Sequence, residues 1–195
     1  TPSNSSAASD VYKRQLYNIT VNITSLSIES GVLKALFNVS AANDTIASVC
    51  YVIDDGVLKQ LEPIDGSFNE SIEVAQLEVF CLNLSEGYHK LRIITETASG
   101  AVKETALAIF VKELAPRYNL ISLAVKPLSE LKASDIVKAI GGAINGIWRF
   151  NVVTQEFDAY IPGFSGPEDD FTLTLGEGYF VYLTDYAKLV EVGLP

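Results

Sequence analysis

The sequence predicts a mainly β protein, in which an antiparallel β-sandwich is followed by a small α+β part that is rich in strands and has one short helix. From Leu16 to Glu113, apolar and polar residues alternate with a period of two, and turn residues separate the runs, as in strands that bury one face. Hydrophobic residues make up 48% of the 195 residues, which is enough for a packed core. After Pro116, glycine turns and clustered aromatic residues replace this pattern.

The alternating part of the chain is predicted to form about seven short antiparallel strands. The runs follow one another at intervals of roughly ten residues and show no helical period, which is typical of a β-sandwich. Asp54-Asp55-Gly56 and Ser99-Gly100 supply turn residues between neighbouring runs. The predicted strands cover residues 16–24, 33–40, 46–53, 57–61, 72–81, 88–97 and 102–112. Residues 1–15 are rich in Ser, Ala and Asn, and we expect them to form a flexible tail.

Asparagine supplies the strongest indication of where the protein works. Ser and Thr make up 28 of the 195 residues, so chance would place only about one or two of the ten Asn in the glycosylation pattern N-x-S/T. The Asn residues found in this pattern are Asn4, Asn18, Asn22, Asn38, Asn43, Asn69 and Asn83. We therefore expect N-linked glycans on a water-facing sheet surface, and an extracellular protein. The alternative is that Asn and Thr are simply common on the surface of β-rich chains.

The two cysteines agree with an extracellular location. An even pair in a secreted domain usually forms a disulfide, so we expect a bond between Cys50 and Cys81. Two buried free thiols are the alternative. A redox-active pair is not expected, because the two residues are far apart and form no C-x-x-C motif.

Residues 84–111 (LSEGYHKLRIITETASGAVKETALAIFV) resemble the last hairpin of the Ig-like or fibronectin-III-like modules of archaeal and bacterial cell-surface proteins. In those modules, an L-x-x-G-x-H-x-L turn leads into strand F, and a T-A-S-G-type turn precedes strand G. The resemblance implies an Ig-like β-sandwich over residues 16–113. A linker is predicted at residues 114–117, because Pro116 has no backbone N–H with which to continue the pairing of a strand.

Residues 118–195 are predicted to form the small α+β module. Ser134-Asp135 is a helix-start signal, and the helix is expected to end at Ile140 before Gly141-Gly142. Residues 118–125 are predicted to form a buried strand. Further strands are predicted at residues 147–151, 156–160, 171–175, 179–184 and 189–192.

Three motifs of this part, Y-N-L-I-S-L, I-W-R-F…F-D-A-Y and L-G-E-G-Y-F-V-Y, resemble a small module common at the C-terminal ends of secreted prokaryotic multidomain proteins. That family has no firmly assigned activity. The resemblance therefore implies a secreted context and no particular chemistry.

The residues predict a protein without catalytic side chains. His89 is the only His, and its position on the inner face of a predicted strand indicates a structural role. The net charge is −10 without a basic run, so nucleic-acid binding is not expected. No cofactor is expected. If an ion binds, calcium fits best, with Glu168, Asp169 and Asp170 as candidate ligands, but a solvated acidic turn is the favoured interpretation of these residues.

Aromatic residues of the C-terminal part are candidates for a platform on which sugars stack. Alternation predicts that about half of them fill the core of the small module. The group comprises Trp148, Phe150, Phe157, Tyr160, Phe164, Tyr179 and Tyr182. Trp148, Tyr160 and Tyr182 are the candidates for ligand stacking.

Together these observations predict a non-catalytic extracellular glycoprotein that is a structural or adhesive component of a cell surface or surface filament. The expected partners are its N-linked glycans and either a second copy or other cell-surface proteins, with strand addition through residues 16–24 as one mode of contact. No transmembrane segment is expected, since the longest apolar run, residues 46–53, is far too short. The alternative is a carbohydrate-binding accessory segment of a secreted hydrolase.

Overall fold

The structure, a computed structural model, describes residues 18–194, and this part of the chain contains fourteen β-strands and one α-helix. The strands are β1 (Ile19–Glu29), β2 (Val32–Ala41), β3 (Ile46–Ile53), β4 (Lys59–Gln60), β5 (Glu62–Pro63), β6 (Ile72–Phe80), β7 (Gly87–Thr97), β8 (Val102–Leu114), β9 (Arg117–Ile121), β10 (Lys126–Pro127), β11 (Ile144–Asn151), β12 (Glu156–Tyr160), β13 (Tyr179–Leu183) and β14 (Ala187–Leu194), and the helix is α1 (Ala133–Ile140). The predicted mainly β fold class, with antiparallel sheets and one short helix, is confirmed.

Two antiparallel sheets form the sandwich. Sheet 1 has the strand order β1-β2-β6-β5, and sheet 2 has the order β10-β14-β8-β7-β3-β4. Alternate residues of each strand point between the sheets, so Phe37 and Leu77 of sheet 1 pack in one core with Leu91, Ile93 and Ile109 of sheet 2. All five are fully buried. The period-two pattern of the sequence therefore marks the face of each strand that is removed from water.

Sheet 3 lies in the C-terminal part and has the strand order β12-β11-β13-β9. One of its faces packs in a second core, where Ile147 and Val181 of the sheet meet Ile136 and Ala139 of α1. Helix α1 begins at Ala133 and ends before Gly141, which has a positive φ of 82°. Glycine adopts this backbone conformation without the strain that a side chain would cause.

Strand β14 joins the two parts of the chain. It pairs with β8 from Ala187–Leu114 to Gly193–Ala108, so sheet 2 contains strands from both sides of the predicted linker at residues 114–117. Val190 points into the first core and Leu189 into the second core. One strand thus contributes to both cores, because its neighbouring residues point to opposite faces.

Helix α1 also contacts the sandwich directly. The N–H groups of Ser30 and Gly31, in the turn between β1 and β2, donate hydrogen bonds to the carbonyl oxygens of Lys138 and Ala139. Because the last carbonyl groups of a helix have no partner within the helix, this turn satisfies them. The contact ties the end of α1 to the sandwich.

Some segments differ from their prediction. Residues 171–175 are not a strand beyond a single bridge between Thr172 and Lys132, and the apolar side chains Phe171 and Leu173 instead pack into the second core. Strand β9 ends at Ile121 because the following residues leave sheet 3 and cross over sheet 2.

Strand β1 pairs with β2 over nearly its whole length within its own sheet. The prediction that this strand completes the sheet of a neighbour is therefore wrong. The predicted tail and Asn4 lie outside the described residues. No helix within residues 18–194 has the length and apolar character needed to cross a bilayer.

Candidate functional site

The outward face of sheet 3 carries a cluster of aromatic side chains, here called the aromatic face. The alternation that points Ile147 and Val181 into the core points their neighbours outward. No side chain at the nine outward positions carries a charge. These positions are Tyr118, Leu120, Gly146, Trp148, Phe150, Phe157, Ala159, Phe180 and Tyr182.

The strand register brings residues that are distant in sequence into contact. Trp148 of β11 lies opposite Phe180 of β13 on one side and Ala159 of β12 on the other. Tyr182 of β13 lies opposite Tyr118 of β9, and their ring centroids are 4.9 Å apart. Cross-strand aromatic pairs of this kind stabilise a sheet. Three segments of the chain, β9, the β11–β12 hairpin and β13, therefore supply one continuous surface.

A groove of about 460 Å³ runs across the aromatic face, and its lining is entirely aromatic: Tyr118, Trp148, Phe157 and Phe180. The ring centroids of Tyr118 and Trp148 are 6.2 Å apart, and those of Phe157 and Phe180 are 6.1 Å apart. The indole of Trp148 lies against the backbone of Gly146, where a Cβ atom would approach the ring to 2.6 Å. Glycine at this position therefore permits the observed position of the indole.

The polar atoms of the groove and of Tyr182 beside it are not engaged by the protein. Among residues 18–194, the hydroxyls of Tyr118 and Tyr182 and the indole N–H of Trp148 form no hydrogen bond to another side chain or backbone group. In contrast, the buried hydroxyl of Tyr179 accepts a hydrogen bond from the N–H of Thr174 and donates one to Glu177. The aromatic face thus combines apolar rings with free donors and acceptors.

Two of the three predicted stacking residues lie on this face. Trp148 and Tyr182 point outward, whereas Tyr160 lies opposite Ile147 and packs against the second core. Tyr118 was missed, because residues 118–125 were expected to be buried, yet its side chain is 69% exposed. The sequence carries no signal for its exposure, because the apolar Tyr118 and Leu120 flank the polar Asn119, and this alternation predicts that the two apolar side chains are buried.

The predicted glycosylation sites lie on the sandwich. Asn38 is half-buried and lies opposite Asn22, so the two side chains share the outer face of sheet 1. The other described candidates are exposed: Asn18, Asn22, Asn43, Asn69 and Asn83. Glycosylation of these residues stays a prediction.

The structure holds Cys50 and Cys81 as free thiols, so the predicted disulfide is not formed. Cys50 lies opposite Ile94 on the outer side of sheet 2, because the adjacent pair Tyr51–Ile93 faces the sandwich core. Cys81 is buried inside that core, and its burial raises the pKa of the thiol to about 11. Thiols on opposite sides of a sheet cannot reach the geometry of a disulfide.

The acidic loop that was considered for calcium is tied to the backbone of the protein. Asp170 accepts hydrogen bonds from the N–H and the hydroxyl of Ser134 in the first turn of α1. Asp169 accepts one from the N–H of Gly166, and Glu168 is exposed. No group of three or more His, Cys, Asp or Glu side chains gathers at one point among residues 18–194. These oxygens cap turns and a helix start.

His89 lies at one end of the sandwich with both ring nitrogens in hydrogen bonds. Nδ1 is 2.7 Å from Asp54 Oδ2, and Nε2 is 2.9 Å from the carbonyl oxygen of Ser85. Both partners are acceptors, so the doubly protonated ring satisfies both. Burial acts to lower the pKa of His89, but the hydrogen bonds to Asp54 and Ser85 outweigh it, and the pKa is raised. The hydrogen bond from His89 lowers the pKa of Asp54.

Glu191 of β14 is buried where residues 122–125 cross sheet 2. Its Oε2 accepts a hydrogen bond from the N–H of Ala124 at 2.8 Å, and its Oε1 has no hydrogen-bond partner within the described residues 18–194. Burial raises the pKa of this carboxyl, and the hydrogen bond from Ala124 offsets only part of that effect. Glu191 therefore fastens the crossing segment to the sandwich at a cost in free energy when it is ionised.

No protein-family model matches the chain, and no curated protein matches it.

Proposed function

We propose that this protein is a non-catalytic extracellular glycoprotein that serves as a structural or adhesive component of a cell surface or surface filament, and that the aromatic face makes its contact. One observation carries the proposal. A sheet in a chain of net charge −10 presents nine adjacent outward positions without a charge, and most of them are aromatic. Contiguous apolar patches of this kind are typical of interaction surfaces.

Apolar side chains on this face are exposed, although apolar side chains of the sandwich core are buried. Leu120 and Phe157 are more than half exposed, whereas Phe37 of the sandwich is completely buried. Sheet 3 needs only one apolar face to pack against α1, so its second apolar face adds nothing to its own core. A partner that covers this face would remove its apolar surface from water.

The distribution of the glycosylation pattern supports the same assignment. The candidate Asn residues end at Asn83, and Asn119, Asn145 and Asn151 of the C-terminal part lack the pattern. Glycans on the sandwich would shield that part of the surface and leave sheet 3 bare. A bare sheet beside a glycosylated one is suited to contact.

The ionisable groups with shifted pKa values support a structural role. His89, Asp54 and Glu191 are engaged with backbone groups or with each other, and none of them lines the groove of the aromatic face. Their interactions hold turns and crossing segments in place.

An adhesion assay with the full chain tests the contact surface. Beads coated with the protein are mixed with beads coated with the same protein or with polysaccharide, and bead clustering is measured. We expect the double variant Trp148→Ala, Phe180→Ala to lose most of the clustering. The control Phe164→Ala, which removes a 91% exposed aromatic ring outside the face, should keep it. Equal clustering by all three proteins would show that the contact lies elsewhere.

Mass spectrometry of protein secreted from a host that performs N-glycosylation tests the glycoprotein assignment. We expect extra mass on the sandwich, and the variant Asn22→Gln should lose one glycan. The matched control Asn145→Gln alters an exposed Asn outside the pattern and should leave the glycan mass unchanged. An unmodified chain would contradict the assignment.

A further inference from the structure

We propose that the groove on the aromatic face binds an uncharged saccharide of a few sugar rings. This inference rests on the proposed function, because it names the ligand of the same contact surface. It is carried by the size of the face, by its free polar atoms and by the lack of charge.

The size of the face fits a small ligand better than a protein. Four strands spaced about 4.8 Å apart, each about five residues long, span an area on the order of 300 Å². A stable protein interface buries about 800 Å² of solvent-accessible surface on each partner, which is more than twice this projected area. The groove of about 460 Å³ lies within the range of roughly 300–1,000 Å³ that is usual for small-ligand clefts.

The chemistry of the groove fits a molecule with one apolar face and a polar edge. The four rings of Tyr118, Trp148, Phe157 and Phe180 offer surfaces on which the C–H face of a sugar ring can stack. The free hydroxyls of Tyr118 and Tyr182 and the free N–H of Trp148 can bond to sugar hydroxyls at the edge. A purely apolar ligand would remove water from these polar atoms and would not form hydrogen bonds in place of those lost to water.

The electrostatics favour an uncharged ligand over an anionic one. None of the nine outward positions carries a charged side chain, so an anionic group in the groove would lose its hydration without gaining a positively charged partner there. The net charge of −10 further disfavours the approach of an anionic polysaccharide.

Gly146 is a positioning residue in this proposal. Its missing side chain lets the indole of Trp148 lie along β11, and a Cβ atom there would push the ring away. The variant Gly146→Ala therefore changes the groove without deleting any aromatic ring. Its φ is not positive, so the backbone itself tolerates alanine.

Tryptophan fluorescence gives a direct test, because Trp148 is the only Trp of the chain. The full chain is titrated with soluble uncharged oligosaccharides from β-glucan, mannan and chitin, with an alginate oligosaccharide as the anionic control. We expect at least one uncharged oligosaccharide to shift the emission and alginate to have no effect. Tyr118→Ala and Gly146→Ala should weaken binding at least tenfold, whereas Phe164→Ala should bind as the wild type does. Circular dichroism verifies that each variant is folded.

The outcomes separate this inference from the proposed function. If clustering of protein-coated beads depends on Trp148 but no uncharged saccharide shifts the emission or competes, the saccharide inference is overturned and the contact surface stands. If alginate binds as well as the uncharged probes, the inference is also overturned. If the face variants alter neither clustering nor the titration, the proposed contact surface fails together with the inference.

Discussion

In the sandwich and in sheet 3, successive side chains point to opposite faces of each strand, but the outward residues differ in polarity. In β2 of the sandwich, the outward residues include Lys34, Asn38 and Ser40, and the buried residues alternate with them. In β11 of sheet 3, the outward residues Trp148 and Phe150 are as apolar as the buried ones. A sheet that is apolar on both faces is expected where both faces are covered. This difference is the basis of our proposal that the outward face of sheet 3 contacts a partner.

The two regions also differ in how they are closed. In the sandwich, each sheet is covered on its inner face by the other sheet, whereas sheet 3 is covered on one face by α1, a helix of eight residues. The two regions are joined, since β14 contributes to both cores. We expect stability to depend on the buried core residues and contact to depend on the exposed aromatic face.

The largest difference is expected between a core ring of the sandwich and a ring of the aromatic face. Phe37→Ala removes a fully buried ring and should lower the free energy of unfolding by about 3–5 kcal/mol. Trp148→Ala removes a half-buried ring on the surface and should lower it by less than about 1 kcal/mol. Urea unfolding followed by circular dichroism measures both. An equally large loss for Trp148→Ala would mean that the aromatic face is needed for folding.

A smaller effect is expected at the join between the regions. Because the pKa of Glu191 is raised in the folded state, ionisation of Glu191 disfavours folding at neutral pH and has no effect at pH values where the unfolded chain is also protonated. Glu191→Gln should therefore raise the free energy of unfolding by about 1 kcal/mol at pH 7. The gain should disappear below the ordinary pKa of 4.5. A variant that is less stable at pH 7 would show that the carboxylate is well accommodated.

The smallest effect is expected within the sandwich, at the pair of His89 and Asp54. The raised pKa of His89 means that its stabilising effect is full below its ordinary pKa of 6.5 and is lost as the pH rises through the folded-state value. The lowered pKa of Asp54 means that its effect is present above 3.8 and is lost as the pH falls through its folded-state value. The pair should therefore stabilise the fold most between pH 3.8 and pH 6.5, the ordinary pKa values of Asp54 and His89.

Asp54→Asn provides the measurement. The Asp54 side chain is 49% exposed, so solvent screening should limit the loss to less than about 1 kcal/mol at pH 6, with a smaller loss at pH 9. His89 is the only His of the chain, and its NMR titration should show a lower pKa in the variant. An unchanged pKa would mean that Asp54 does not hold the imidazolium.

Local patterns in the sequence predicted much of the fold. Strand β3 and strand β12 occupy the predicted residues. Helix α1 begins at Ala133, one residue before the predicted start, and its N-cap residue is Lys132 rather than Ser134, while Asp135 accepts a hydrogen bond from the N–H of Lys132. Trp148 and Tyr182 were also identified as surface candidates. Alternation and capping depend on neighbouring residues, so they can be read without knowledge of the fold.

Other features depend on residues that are far apart in the chain. The thiols of Cys50 and Cys81 agree in number with a disulfide, but their positions on opposite sides of sheet 2 follow from how β3 pairs with β7. Asp170 was considered as a metal ligand, but the tertiary structure places it at the first turn of α1. Such contacts leave no periodic signal in the sequence.

The sequence by itself determined the β class, the inward and outward faces of the sandwich strands, and the separation of an Asn-rich half from an aromatic half. Only the tertiary structure decided that β14 belongs to the sheet of the sandwich and that Tyr118 stands beside Tyr182 and Trp148 at one groove. The physical reason is that side-chain direction is set by local backbone geometry, whereas the choice of a strand's neighbour depends on which pairing buries the most apolar surface of the whole chain.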